Sequence, residues 1–203
     1  MFATRAPPRK QCTSGLRKAG PQEITLASSS AKILKSRNIF KGRVFGLRQD
    51  KVSEPGGVVS TREVLVHHGS IVVLPVFKDG SILMVRQYRH AAGKFLWELV
   101  AGHIEPGEKL LPAARRELAE EAGCTARHWS RLLDFYPSPG VSTERMWVFL
   151  ATELTIGEAH PEEDERIAAR TFPLVAILGK IQSGAIQDAK TIAAILYYAR
   201  FTK

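Results

Sequence analysis

The chain has 203 residues with two cysteines, 44% hydrophobic and 24% charged residues, and a formal net charge of +9. That length suits one or at most two domains with an ordinary apolar core, which excludes collagen, repeat arrays and wholesale disorder. Cys12 and Cys124 are too few and too far apart for a disulfide framework or a zinc knuckle, and no apolar run approaches the roughly 20 residues that cross a bilayer. We therefore expect a soluble, cytoplasmic protein.

The basic charge is concentrated in the first half of the chain. Residues 1–22 contain five basic residues and no acidic one, residues 23–100 carry a net +6, and residues 101–203 carry −2. Residues 1–30 also contain three prolines and a run of three serines without apolar periodicity, which predicts a disordered arm. Such an arm could be an organellar targeting peptide or only a solvated tail, and it lacks the apolar stretch of a secretion signal.

Short strands are predicted in the part of the chain that follows the arm. The apolar or alternating runs are residues 39–48, 58–66, 71–77 and 82–88. Pro55-Gly56-Gly57 separates the first two runs and Asp79-Gly80 the last two, and both spacings are typical of β-hairpins.

Helical periodicity appears in the second half. Residues 109–122 have apolar residues at helical spacing, with Pro112 in an early turn and Gly123 placed to end the helix. The other predicted elements are strands at 133–136 and 145–152, a helix at 174–182, and a helix capped by Asp188 with the apolar face Ile192, Ile195, Leu196 and Ala199. Strands around an isolated helix, with helices at the end, favour a mixed α+β sandwich over a doubly wound sheet.

The helix at 109–122 has the densest cluster of charged residues. Glu117, Glu120 and Glu121 are three or four residues apart, so their carboxylates project from one side of the helix and repel one another. Either Arg115 and Arg116 neutralise a solvated face, or the carboxylates bind Mg²⁺. Mg²⁺ prefers oxygen ligands and keeps waters and substrate phosphates in its other coordination positions.

The spacing of this segment favours the metal site. Residues 102–124 fit the pattern G-x5-E-x7-R-E-(apolar)-x-E-E-x-G-(apolar) at every specified position, namely Gly102, Glu108, Arg116, Glu117, Leu118, Glu120, Glu121, Gly123 and Cys124. This pattern is the Nudix box, and the chain resembles the Nudix hydrolases, magnesium-dependent enzymes that split nucleoside diphosphates linked to another moiety. The resemblance implies an α/β/α sandwich around a mixed sheet at 67–203, preceded by a small antiparallel sheet at 31–66.

The resemblance also implies which residues hold the metal, Mg²⁺ or in its place Mn²⁺. Glu117 and Glu121 match the main ligands, and the backbone carbonyl of Ala101 matches a further ligand. The acidic segment 162–165 matches a mobile loop of the family, in which Glu165 corresponds to an additional metal ligand.

Catalysis further requires a base that accepts the proton of the attacking water. By the resemblance, Glu163 is that base, although the acidic segment could also be only a solvent-exposed loop. Glu120 faces the metal cluster, and Arg116 with Glu108 orients the carboxylates, as metal sites generally require. Gly102 is expected where the loop meets the helix.

Features outside the box are similar to the ADP-ribose pyrophosphatase group. They are residues 85–89, 97–102, 138–140 with Glu144 soon after, and 188–191. Ala119, Ala122 and Val100 replace residues that are commoner in the family, and none of the three is a metal ligand.

Three residues are predicted to bind the substrate. Arg62 and Arg89 each offer a planar donor fork to phosphate or to an adenine edge. For both, the alternative is surface ion pairing. Glu98 lies in a mostly apolar strand, where a carboxylate is costly unless it binds something. The resemblance implies a homodimer in which the N-terminal sheet pairs or swaps and Arg62 reaches the partner's site.

These features together predict Mg²⁺-dependent hydrolysis of ADP-ribose to AMP and ribose 5-phosphate. One alternative is a nucleotide-sugar diphosphatase acting on GDP-mannose or a similar compound. Another is a non-catalytic nucleotide-binding or RNA-binding domain that uses the basic arm, against which the complete carboxylate set argues. Neither a membrane nor a nucleic acid is expected as a partner.

Overall fold

The computed structural model describes residues 30–159 and 167–202. The described strands are β1 (Lys32–Lys41), β2 (Gly46–Ser53), β3 (Val59–Val66), β4 (Ser70–Pro75), β5 (Ser81–Arg89), β6 (Lys94–Glu98), β7 (Val100–His103), β8 (Cys124–Phe135), β9 (Met146–Ile156) and β10 (Ile167–Pro173). The described α-helices are α1 (Leu110–Ala122), α2 (Leu174–Gln182) and α3 (Ala189–Phe201). The predicted arm lies outside the described residues except for Ser30.

The first three strands form the predicted small antiparallel sheet, in the order β1-β2-β3. The single strand predicted at 39–48 is wrong, because a turn at Gly42 divides it between β1 and β2. The amide of Gly42 donates a hydrogen bond to the carbonyl of Phe45 at 2.9 Å. A Cβ atom on Gly42 would lie 2.9 Å from the backbone carbonyl oxygen of Phe45, so this tight turn favours glycine.

The remaining strands form two sheets. One is mixed, in the order β7-β4-β9-β8 with β4 and β9 parallel, and the other is antiparallel, in the order β10-β5-β6. The hairpin predicted around Asp79-Gly80 is therefore wrong. The turn is present, but the pairing beside it is a single isolated bridge between Ile82 of β5 and Val76, the residue after β4, and the two strands belong to different sheets.

Helices cover both faces of the sheet layer. Alternate residues of β4 explain this arrangement, since successive side chains of a strand point to opposite faces. Ile71 and Val73 pack in a core with the apolar face of α1, whereas Val72 and Leu74 pack in a second core with α2 and α3. All four are fully buried, and each stabilises the fold by about 1.5–3 kcal/mol through burial. The result is the expected α/β/α sandwich.

Several other element predictions need correction. The pattern of residues 133–136 captured only the end of β8, a 12-residue edge strand in which exposed and partly buried residues follow one another without regular alternation. The strand predicted at Glu98 is β6, whereas β7 and β10 were not predicted. In α3, three residues of the predicted apolar face, Ile192, Ile195 and Ala199, pack in the core as expected, but Leu196 is 47% exposed and Ala194 is buried in its place. None of the described helices combines the length and the apolar character that crossing a membrane requires.

Candidate active site

The carboxylates of helix α1 lie against the backbone of strand β7. Glu117 and Glu121 are buried, at 8% and 4% exposure. The amide of Ala101 donates a hydrogen bond to Oε2 of Glu121 at 3.3 Å. The prediction that Gly102 lies at the junction of loop and helix is wrong, because Gly102 belongs to β7. A Cβ atom on Gly102 would lie 1.9–2.3 Å from the carboxylate of Glu117, so the close approach of this helix to this strand requires glycine at position 102.

Glycine also ends α1. Gly123 has a left-handed backbone conformation with φ 59°, and its amide donates to the carbonyls of Ala119 and Leu118. A Cβ atom on Gly123 would lie 2.5 Å from the amide nitrogen of Ala159. This residue therefore both terminates the helix and allows the following chain to pass closely.

Arg116 connects the charged residues of α1 to one another. Its Nε and Nη2 atoms donate to the two carboxylate oxygens of Glu108 at 3.1 and 3.0 Å. Its Nη1 atom donates to Glu117 at 2.8 Å and to Glu120 at 3.0 Å, and Nη2 also donates to the carbonyl of His103. The hydrogen bond to Glu108 and the adjacent carboxylates raise the pKa of Arg116, and the same hydrogen bond lowers the pKa of Glu108. Arg116 therefore holds the carboxylates in place as a permanent cation.

The donor set suits a hard divalent cation. Within residues 30–159 and 167–202, no three His, Cys, Asp or Glu side chains form a metal site by themselves. Mg²⁺ does not need such a group, because it usually binds one or two carboxylates and keeps waters and substrate phosphates as its other ligands. Glu117 and Glu121 beside the β7 backbone fit that pattern. The predicted base Glu163 and the predicted ligand Glu165 lie outside the described residues.

A second charged network lies across the cavity, at the start of helix α3. Glu98 is 1% exposed and accepts two hydrogen bonds of 2.8 Å from Nε and Nη2 of Arg89. It also accepts a hydrogen bond from Lys190, which in turn contacts Asp188 at 2.9 Å. Burial raises the pKa of Glu98, but the hydrogen bond from Arg89 and the charge of Lys190 together bring it below its ordinary value. The buried carboxylate is thus fully ionised and paired.

One cavity of about 310 Å³ joins the two networks. Six of the predicted site residues line it, namely Arg89, Ala101, Gly102, Arg116, Glu117 and Glu120. Glu98, Glu108 and Glu121 lie just behind this lining and contact it through the hydrogen bonds given above. The structure therefore brings together all the described site residues with the exception of Arg62.

Arg62 lies on β3 of the N-terminal sheet, outside the lining of the cavity. Its Nε atom donates to Glu54 at 2.8 Å, and the side chain is half exposed. This hydrogen bond lowers the pKa of Glu54. The role of Arg62 in a partner's site stays a prediction, since the single chain pairs it with Glu54.

Six residues that line the cavity have no role predicted from the sequence, namely Ser70, His103, Glu105, Glu144, Met146 and Lys190. Glu144 accepts a hydrogen bond from Oγ of Ser70 at 2.7 Å, and both side chains face the cavity. Lys190 lies in the first turn of α3. A lysine near the positive end of a helix dipole is unfavourable, and that misplaced charge was the signal in the sequence that could have identified it.

Comparisons with known proteins agree with this geometry. The family model described as the NUDIX domain matches residues 66–195. The ADP-ribose pyrophosphatase of Bacillus subtilis (strain 168) is 38% identical over 174 residues, which covers 85% of this chain and 94% of that protein. The ADP-ribose pyrophosphatase of Mycobacterium tuberculosis (strain ATCC 25618 / H37Rv) is 38% identical over 175 residues, which covers 84% of each chain.

A solved structure has the same fold. It is described as the crystal structure of an ADP compounds hydrolase, and it superposes with a TM-score of 0.73 at 20% sequence identity. The superposition covers 84% of this chain and 93% of that one.

Proposed function

Because this chain belongs to the Nudix family, we propose that it hydrolyses the pyrophosphate bond of ADP-ribose to AMP and ribose 5-phosphate. The observation that carries the proposal is the cavity in which the α1 carboxylates face the side chain of Arg89. A diphosphate needs both a carboxylate-held cation and a basic side chain beside its charges. The two similar ADP-ribose pyrophosphatases support the choice of substrate.

Nudix hydrolases generally use divalent metal ions, and the residues of this site fit such an ion. We propose that Glu117, Glu121 and the carbonyl of Ala101 hold Mg²⁺, for which Mn²⁺ can substitute, with Glu165 as a further ligand. When bound, the cation supplies polarisation of a phosphoryl oxygen and a lower pKa for the attacking water.

The side chains carry out the rest of the reaction. Arg89 presents its guanidinium to the diphosphate, and Arg116 keeps the carboxylates oriented. The oxygen of water forms a new P–O bond while the bridging P–O bond breaks, and Glu163 accepts the proton released by the water. Glu120 lies at the cavity, where its carboxylate contributes negative charge beside the metal ligands.

Turnover of ADP-ribose in the presence of Mg²⁺ tests this proposal. AMP and ribose 5-phosphate are expected in equal amounts, and Glu121→Gln should lower kcat by about 100-fold because it removes a metal-ligand charge without changing the shape of the side chain. Glu153→Gln is the matched control and should keep wild-type activity, since the side chain of Glu153 on β9 is 43% exposed, contacts His128 of β8 and does not line the cavity.

Two results would count against the proposal to different degrees. If no nucleoside diphosphate derivative is hydrolysed, or if Glu121→Gln is as active as wild type, the assignment as a hydrolase is wrong. If GDP-mannose is preferred by about tenfold or more, corresponding to about 1.4 kcal/mol, only the ADP-ribose assignment is wrong.

We also propose a cytoplasmic homodimer that pairs through the N-terminal sheet. Every residue of β1 is exposed in the single chain, among them the large apolar side chains of Ile33, Leu34 and Phe40. Exposed apolar side chains of this size favour association with another chain. Light scattering on the full chain should give twice the mass of 22.4 kDa, and a monomer at micromolar concentration would contradict the dimer.

A further inference from the structure

The first turn of α3 contains a buried lysine whose two partners are both acidic. The side chain of Lys190 is 10% exposed and contacts Glu98 and Asp188. Lys190 also lines the cavity, beside Arg89. A lysine in this place loses most of its hydration and opposes the helix dipole, so its presence requires compensation from specific neighbours.

The start of α3 is fixed firmly to the strands beneath it. Asp188 caps the helix by accepting a hydrogen bond from the amide of Thr191 at 3.0 Å. The hydroxyl of Thr191 accepts a hydrogen bond from the amide of Leu99 at 2.8 Å, and Thr191 is fully buried. Because Leu99 directly follows Glu98, these bonds hold Lys190 at a fixed position relative to the buried carboxylate.

Arg89 has two competing tasks at this position. It donates its Nε and Nη2 atoms to Glu98, while its side chain remains 41% exposed at the cavity. A diphosphate entering the cavity attracts the same guanidinium. If Arg89 were the only cation at Glu98, moving it toward the substrate would leave a buried carboxylate unpaired, which is strongly unfavourable.

We propose that Lys190 is a positioning residue that compensates the charge of Glu98, so that Arg89 remains available to the diphosphate. Lys190 acts through Glu98 and not by touching the substrate. This inference rests on the proposed function. It means that the first turn of α3 contributes to the affinity for the diphosphate. When the charge of Lys190 is removed, Arg89 is the only cation that pairs with Glu98. Arg89 then stays bound to Glu98 and interacts less well with the diphosphate.

Steady-state kinetics with ADP-ribose and saturating Mg²⁺ separate binding from turnover. Lys190→Met should raise KM by about tenfold and leave kcat within about twofold, since it weakens an interaction made equally in the ground state and the transition state. Lys190→Arg keeps the charge and should stay within about threefold of the wild-type KM. Lys78→Met, at the exposed β4–β5 turn, is the matched control and should leave both constants unchanged.

A double-variant cycle distinguishes the indirect role from direct contact with the substrate. When Glu98→Gln has already removed the buried charge, Lys190→Met should change KM by less than about twofold. An increase of about tenfold in both backgrounds would show that Lys190 touches the diphosphate, and it would overturn the positioning role.

The cycle also covers the case in which Lys190→Met does not fold. The comparison of Glu98→Gln with the Glu98→Gln, Lys190→Met double variant still decides the question, because neither protein contains the uncompensated carboxylate. An unchanged KM in folded Lys190→Met overturns the positioning role while leaving the proposed function intact. Absence of wild-type turnover on every nucleoside diphosphate derivative overturns the proposed function itself.

Discussion

Each of the two sides of the cavity contains an arginine that is hydrogen-bonded through two nitrogens to a glutamate, but the two sides differ in net charge. On the carboxylate wall, formed by Glu108, Arg116, Glu117, Glu120 and Glu121, an arginine is forked on Glu108 and shared with two further carboxylates. On the basic wall, formed by Arg89, Glu98, Asp188 and Lys190, an arginine is forked on Glu98 and two cations balance two acids. The first wall keeps a surplus of negative charge, and the second wall is neutral.

That difference in balance explains the different tasks of the two arginines. Arg116 is surrounded by carboxylates, so it has few donors left for a substrate and serves to orient the metal ligands. Arg89 shares Glu98 with Lys190, so its guanidinium can turn toward an anion in the cavity without leaving the carboxylate unpaired. The same bidentate arginine–glutamate pair thus orients the metal ligands on the carboxylate wall and supports substrate binding on the basic wall.

The largest effect is expected from breaking the carboxylate wall at its contact with β7. In Gly102→Ala the new Cβ atom would lie 1.9–2.3 Å from the carboxylate of Glu117, so the metal ligand must move. Because misplacing a catalytic group by about 1 Å can cost 100-fold, kcat for ADP-ribose should fall by about 100-fold or more. Measurement of kcat and of the Mg²⁺ dependence checks this expectation.

Gly179→Ala supplies the control for the same chemical change. Gly179 lies in α2, a Cβ atom there meets nothing within 4 Å, and alanine is the better helix former by about 1 kcal/mol. That variant should be as active as wild type and slightly more stable. Activity of Gly102→Ala within threefold of the control would show that the close approach of α1 to β7 does not matter for turnover.

The sequence identified the carboxylate wall because its residues lie within one short segment. Glu108, Arg116, Glu117 and Glu121 have a spacing that a single helix and its preceding loop convert directly into proximity. The basic wall joins the consecutive strands β5 and β6 to the first turn of α3, and Lys190 lies 92 residues beyond Glu98 in the chain. Arg89 and Glu98 could be proposed as binding residues. The charge of Lys190 at the N-terminus of α3 is visible in the sequence, but the local pattern does not indicate that Lys190 pairs with Glu98.

The fold shows the same division between local and long-range information. The helices α1 and α2 and the cap at Asp188 follow from local periodicity and from cap chemistry, and they were predicted to within a residue. The partners of β4 could not be predicted, because a fully buried strand has no polar face to indicate its neighbours. For the same reason the turn at Asp79-Gly80 suggested a hairpin where the chain instead passes from one sheet to another.

Replacing each arginine with lysine should have a smaller effect on the kinetic constants than Gly102→Ala, but it compares the two walls more directly. Lysine keeps the positive charge but lacks the planar guanidinium, so neither variant can donate the two parallel hydrogen bonds that the arginine makes to its glutamate. On the carboxylate wall, Arg116→Lys should lower kcat by about 30-fold through misplaced metal ligands and change KM for ADP-ribose by less than about threefold. On the basic wall, Arg89→Lys should raise KM by about tenfold and change kcat by less than about threefold.

Arg115→Lys provides the reference for both variants, because Arg115 is an exposed neighbour on the same helix and its replacement should change neither constant. The opposite separation of kcat and KM is the part of the expectation that a general loss of stability cannot produce, since unfolding lowers the apparent kcat of both variants alike. If Arg116→Lys and Arg89→Lys affect the same constant in the same direction, the two walls do not have separate tasks. The neutral balance at Glu98 would then be a structural feature of the fold with no part in diphosphate binding.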